Sequence, residues 1–138
     1  MKWMSFFSLA LLGSMGTLQA QEAANLQEII EQYNQGGATN NVDLLQPVLA
    51  ESFRVVLNDN KEEVIKVLDR ATYLDLIGKK VFGGEARTLD FSSIDAQGAL
   101  TATVTVSQKG AENTFRNYLS LVQNQGQWQI VQALVYIE

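Results

Sequence analysis

Two hydrophobic periods divide the chain. As far as residue 78 the apolar positions mostly recur at helical spacing, and from Arg87 onward they alternate with polar ones. The spacing of Leu26, Ile29, Ile30 and Tyr33 predicts an amphipathic helix over 23–35, with Gly36-Gly37 expected to stop it. A second helix is expected over 42–50, capped by Asn41 or Asn40, with Pro47 in or near its first turn. Residues 53–57 read as a strand closed by the turn Asn58-Asp59-Asn60. Residues 63–68 read as its partner, although Val64, Ile65, Val67 and Leu68 would also suit a helix. Asp69 is placed to cap a third helix over 70–77, with Tyr73, Leu74 and Ile77 inward and Gly78 as terminator. After a loop over 79–85 the period becomes two. Leu89, Phe91 and the alternating stretch 99–106 predict half-buried strands, with hairpin turns at 95–98 and 109–111. The run 115–122, the turn 123–127 and the run from Trp128 to the end form a closing hairpin. Three helices interleaved with a short strand pair, then four long antiparallel strands, make an α+β domain.

The first twenty residues stand apart from this pattern. Lys2, the apolar run 6–12 and the small-residue exit 16–20 ending in Ala20 predict a cleaved secretory leader over 1–20. The run is short of the ~20 apolar residues that span a bilayer, and a buried N-terminal helix is the rival reading. Residues 21–138 then form a single domain, exported and without a membrane anchor in its mature form. With no cysteine in the chain, an anchor lipid on an N-terminal cysteine is ruled out.

Composition narrows the chemistry more than the fold. Without Lys2, nine basic and fifteen acidic side chains leave a net charge of −6, and the largest basic cluster is Lys79-Lys80. A phosphate backbone would be repelled and would meet no basic stripe, so nucleic acid is not an expected partner. Cysteine and histidine are both absent, which removes the commonest zinc ligands and every histidine-based triad. No metal or cofactor is expected. Any general acid or base would have to be Asp, Glu, Tyr or Lys.

Three segments carry a resemblance. They are Tyr33 through Phe53; Arg70-Ala71-Thr72-Tyr73-Leu74 with Phe82-Gly83-Gly84; and Phe115-x-x-Tyr118-Leu119-Ser120-Leu121 followed by Gly126-x-Trp128-x-Ile130-Val131. In order and spacing they resemble the nuclear transport factor 2-like superfamily, the cystatin-like cone fold, and within it the group of small bacterial proteins labelled "putative lumazine-binding". The resemblance implies a curved antiparallel sheet wrapped around N-terminal helices, forming a cone with an internal cavity. The group is bacterial, and with the leader over 1–20 the expected location is periplasmic or secreted. The superfamily includes ketosteroid isomerase and scytalone dehydratase beside many members that only bind ligands or proteins, so the fold alone names no function.

Tyr33, Phe53, Tyr73, Phe82, Arg116 and Tyr118 are the candidate ligand-binding residues, with Arg116 and Tyr118 on one strand face as a possible carboxylate or heterocycle clamp. No catalytic residue is assigned. Asp90 neighbours Leu89 and Phe91 and so should face solvent, Asp43 suits a helix terminus, and Trp128 suits a core anchor. The last strand is apolar on both faces from Ile130 to Ile137, where a strand with one wet face should alternate. A homodimer through the sheet face is therefore expected. Three readings remain open: a non-catalytic binder of a small aromatic or amphipathic molecule, a Tyr/Asp-dependent isomerase or dehydratase, and a protein-interaction module.

Overall fold

The protein is described here from a computed structural model, in which the backbone of residues 2–138 and the side chains from residue 19 onward are described. The expected leader over 1–20 lies almost wholly outside the residues whose side chains are described. Helix α1 (Lys2–Ala38) is followed by α2 (Val42–Leu45), a 3-10 turn (Gln46–Val48), β1 (Leu49–Asp59), β2 (Val64–Asp69) and α3 (Arg70–Gly78). Four long strands complete the chain: β3 (Thr88–Gln97), β4 (Thr101–Lys109), β5 (Thr114–Asn124) and β6 (Gln127–Ile137). They form one six-stranded sheet in the order β2-β1-β6-β5-β4-β3. Every pairing is antiparallel except β1 with β6. The expected α+β class with a curved sheet around the helices is thus what the chain adopts. Among the described residues no helix is long and apolar enough to cross a membrane.

The sheet bends because its ladders slip. Register shifts lie between Leu49 and Arg54, between Phe91 and Ser93, and between Ser120 and Leu121. Such irregularities kink a strand and increase its twist, which curls the sheet. Its concave face carries Ala102, Val104 and Val106 from β4, Leu119 and Leu121 from β5, and Ile130, Ala133 and Val135 from β6. Into that face the stripe Leu26, Ile30 and Tyr33 of α1 is buried. Trp128 anchors the arrangement: its ring is buried, and its Nε1–H donates to Glu22 Oε2 at 2.7 Å, tying the closing hairpin to α1. It is a core anchor, as the sequence suggests.

Three local features differ from expectation. The first helix runs through Gly36 and Gly37 to Ala38. Gly36 serves close packing: a Cβ there would lie 2.7 Å from the side chain of Leu45, which is fully buried. The second helix is only one turn long. Asn41 caps it by accepting from the Leu44 N–H, and the chain then tightens into the 3-10 turn around Pro47, which has no N–H to continue an α-helix. Leu49 and Ala50 already belong to β1. Helix α3 begins as expected, with Asp69 accepting from the Thr72 N–H at 2.8 Å, but the left-handed residue after it is Lys80, not Gly78.

Gly36 and Gly37 give a paired test of this packing. Alanine in a helix interior is favoured over glycine by ~1 kcal/mol, whereas overpacking a core costs ~1–3 kcal/mol. A Cβ at Gly37 would meet only the Tyr73 hydroxyl, at 4.0 Å. Urea denaturation should therefore show Gly36→Ala destabilised, by up to about 2 kcal/mol once the helix gain is offset, with Gly37→Ala unchanged or slightly stabilised. Equal effects at the two sites would contradict the Leu45 contact.

Candidate functional site

Between the C-terminal half of α1, α3 and the sheet lies a cavity of about 240 Å³. Tyr33 and Gly37 line it from α1, and Tyr73 and Ile77 from α3. The sheet contributes Val55 and Leu57 from β1, Gln108 from β4, Phe115 and Asn117 from β5, and Val135 and Ile137 from β6. Val81, Phe82, Gly83 and Arg87, from the segment joining α3 to β3, complete the wall.

That segment is held in place by backbone-level contacts. Asn40, itself left-handed at φ 52°, donates through Nδ2 to the carbonyls of Ile77 (2.9 Å) and Phe82 (2.7 Å). The Gly84 N–H donates to the Gly37 carbonyl at 3.0 Å. Gly83 has φ 75°, and a Cβ there would collide with the same carbonyl oxygen. Only glycine allows both the conformation and the approach. The result is that Phe82 is carried to the cavity by a loop clamped to the end of α1.

Three of the residues expected to bind ligand, Tyr33, Tyr73 and Phe82, line this cavity. Phe53 is buried behind them, its ring 5.5 Å from that of Tyr73, and does not reach the cavity wall. Arg116 and Tyr118 require correction. They share a face, but it is the convex one, because the inward positions of β5 are Phe115, Asn117, Leu119 and Leu121. Arg116 pairs there with Glu138 at 2.7 Å, and Tyr118 is 51 % exposed. They form no clamp in the cone. Asp90 is exposed on the same outer face, paired with Ser107, and Asp43 is exposed in the first turn of α2.

The polar groups that do enter the cavity are ones sequence reasoning passed over. Gln108 and Asn117 occupy inward strand positions and are the two buried polar residues of the core. Together with Asn34 they form an amide relay. Asn34 Nδ2 donates to the Arg87 carbonyl (3.2 Å), Gln108 Nε2 donates to Asn34 Oδ1 (3.0 Å), and Asn117 Nδ2 donates to Gln108 Oε1 (3.0 Å). Asn117 Nδ2 also donates to the Phe115 carbonyl at 3.1 Å. The guanidinium of Arg87 lies 3.8 Å over the Phe115 ring. A signal for the amides was present in the alternation itself, which interrupts an apolar face with Gln at 108 and Asn at 117.

Burial governs the titration of this site. It pushes the Tyr33 hydroxyl up, with the Tyr73 hydroxyl and the positive charge of Arg87 acting against it. It pushes Tyr73 well up, reinforced by the neighbouring Tyr33 and opposed by Arg87. The two rings lie 6.4 Å apart. Arg87 is lowered from the usual arginine value, mainly by burial, with the charge of Glu85 acting against the shift; a guanidinium remains charged at any physiological pH. Both cavity tyrosines are therefore neutral hydroxyls. No Asp or Glu is among the cavity-lining residues.

A raised tyrosine keeps its proton in the folded chain at a pH where the unfolded chain has released it. The associated stability is thus fully present below the ordinary tyrosine value of about 10 and is lost as pH rises above it. An absorbance titration should show a tyrosine step reached only as the protein unfolds, and that step should lose amplitude in Tyr73→Phe, where Tyr33 alone remains buried. A normal titration of every tyrosine would contradict the buried pair.

A protein family described as "Putative lumazine-binding" matches residues 21–136, and the chain belongs to that family. No curated protein matches it. Among solved structures, a nuclear transport factor 2-like protein of unknown function from Silicibacter pomeroyi is similar, with a TM-score of 0.76 at 18% identity over 87% of this chain and 98% of that one. One from Shewanella baltica gives a TM-score of 0.74 at 17% identity, over 86% and 95%. A third, from Rhodospirillum rubrum and described as of unknown function in nutrient uptake, gives 0.64 at 16%, over 82% and 98%. These likenesses establish the nuclear transport factor 2-like fold.

Proposed function

We propose that this is an exported, homodimeric, non-catalytic binding protein that holds a small aromatic or amphipathic molecule in the cavity between α1, α3 and the sheet. The observation that carries the reading is the wall of that cavity: four aromatic rings, a set of aliphatic side chains and no carboxylate. A Tyr/Asp isomerase would need a carboxylate base within hydrogen-bond reach of its substrate, and the acids at 43 and 90 lie elsewhere. The volume is more than one ring needs, since an apolar cavity of about 150 Å³ is enough for benzene. The family description favours ligand binding as well. Export is supported by the leader pattern and by a family match that starts at residue 21, where the leader would end.

The dimer rests on the convex face. Register places Val67, Val56, Leu134 and Tyr118 in one row across β2, β1, β6 and β5. Val67, Leu134 and Tyr118 in that row are exposed, and such an apolar band favours covering by a partner. Light scattering should give twice the chain mass at micromolar concentration, and Leu134→Lys should halve it. A wild-type monomer would remove the dimer and leave the band as a surface for another protein.

Ligand binding is tested by melting-temperature shifts against pterins, flavins and sterols. At least one compound should raise the melting temperature of the wild type and not that of Leu57→Trp, whose added ring projects into the cavity. Failure of every compound to stabilise the wild type would count against the reading.

A further inference from the structure

The cavity is selective in a direction its apolar wall does not suggest. Arg87 is more than half buried, yet among the described residues it enters no ion pair, and its Nε is buried with no hydrogen-bond partner. Its flat face is occupied by the Phe115 ring, which leaves the in-plane N–H edge of the guanidinium for a ligand. That edge matches an oxyanion in a planar, two-point contact. A half-buried cation that makes no ion pair, with the charge of Glu85 nearby but not in contact, gains from a ligand that brings a counter-charge against it.

The amide relay specifies a second point. Side-chain amides can ordinarily be turned end for end, but this relay is fixed by backbone carbonyls, which only accept. Asn34 must present Nδ2 to the Arg87 carbonyl, so its Oδ1 faces Gln108. Gln108 must then present Nε2 to Asn34 and Oε1 to Asn117. Asn117 is oriented twice over, because its Nδ2 serves both Gln108 Oε1 and the Phe115 carbonyl. Both donors of Asn117 are committed, and the acceptor it has left over is Oδ1. That atom is buried without a partner in a residue only 1 % exposed that lines the cavity. A ligand that brings an N–H or O–H to this acceptor supplies the partner it lacks, and should bind up to about ten-fold tighter than one that does not. The relay begins at the backbone of the same residue whose side chain supplies the positive charge, so the two recognition points are built as one unit.

Resting on the ligand-binding reading above, we propose that the cavity selects planar aromatic anions that also carry a hydrogen-bond donor, with Arg87 binding the anionic group and Asn117 Oδ1 accepting from the donor. Tyr33, Tyr73 and Phe82 supply the apolar walls around the ring. Neutral aromatics of the same size fit the walls but leave Arg87 without a counter-ion.

The test uses the wild-type protein and a series of two-ring probes, measured by calorimetry at neutral pH. The probes are 2-naphthoate, its ring-position hydroxy isomers, and the matching neutral 2-naphthamides. At least one hydroxynaphthoate should bind about ten-fold tighter than its own amide and several-fold tighter than unsubstituted 2-naphthoate. In Arg87→Gln the preference for acid over amide should fall to within about two-fold, and Arg87→Lys should retain part of it. Circular dichroism of each variant checks that the fold is intact. Equal binding of acids and amides by the wild type would overturn the anion assignment while sparing the cavity as a ligand site. An acid preference that survives Arg87→Gln would overturn the role of Arg87. Equal binding of every hydroxy isomer and the unsubstituted acid would overturn the role of Asn117. Binding of a pterin, flavin or sterol with no naphthoate bound would overturn this proposal alone, and binding of nothing would overturn both.

Discussion

A helix can be enclosed by a sheet only if the sheet bends around it, and the rest of this molecule follows from that bend. The slips in three ladders let the long strands curl, and the curl gives α1 a concave bed for Leu26, Ile30 and Tyr33. Once α1 is seated, it is pinned at two levels. Glu22, near its middle, meets Trp128, and Asn40, just past its C-terminal end, gathers α3 and the following loop through two backbone carbonyls. The cavity is the space that remains where the helix stripe ends and the strands continue. Its walls are aromatic and aliphatic because they are the unfilled extension of the core.

The same geometry explains why polar groups occur there. Inward positions on β4 and β5 are apolar along most of their length, and polarity appears at Gln108 and Asn117, where they line the cavity. A buried amide without partners would be strongly unfavourable, so these are joined to Asn34 and to backbone carbonyls. The relay keeps the polar groups rigid and oriented, whereas the aromatic walls set only size and shape. Arg87 sits at the junction of both, its backbone in the relay and its side chain on an aromatic ring.

Much of the architecture was legible in the chain because it depends on period. The stripe of α1, the Asp69 cap and the two-residue alternation from 99 to 106 all follow from local spacing, and all reappear in the fold. What local spacing could not give was any contact between distant segments. Gly36-Gly37 reads as a helix stop because glycine usually is one, and only the position of Leu45 shows its packing role. The cavity tyrosines were legible, since Tyr33 and Tyr73 fall on inward helix stripes. The arginine was not. Arg116 sits beside Tyr118 and invited a clamp, but strand parity turns both outward, while Arg87 comes from a loop whose direction no periodicity describes. The inward parity of Asn117 was visible, and its chemical meaning required the partners that tertiary structure brings.

The pairing of β1 with β6 has a consequence for the order in which the chain can become a protein. β1 precedes most of the sheet in sequence, and among the described residues its neighbours are β2 and β6, the strand that comes last of the six. As the chain lengthens from its N-terminus, the β1–β2 pair has no sheet to join until the final eleven-residue strand arrives. Loop closure across that span is entropically slow, so completion of the sheet waits on β6. Loss of β6 by truncation would remove the middle of the sheet, separating β1 and β2 from β3, β4 and β5 in a single cut.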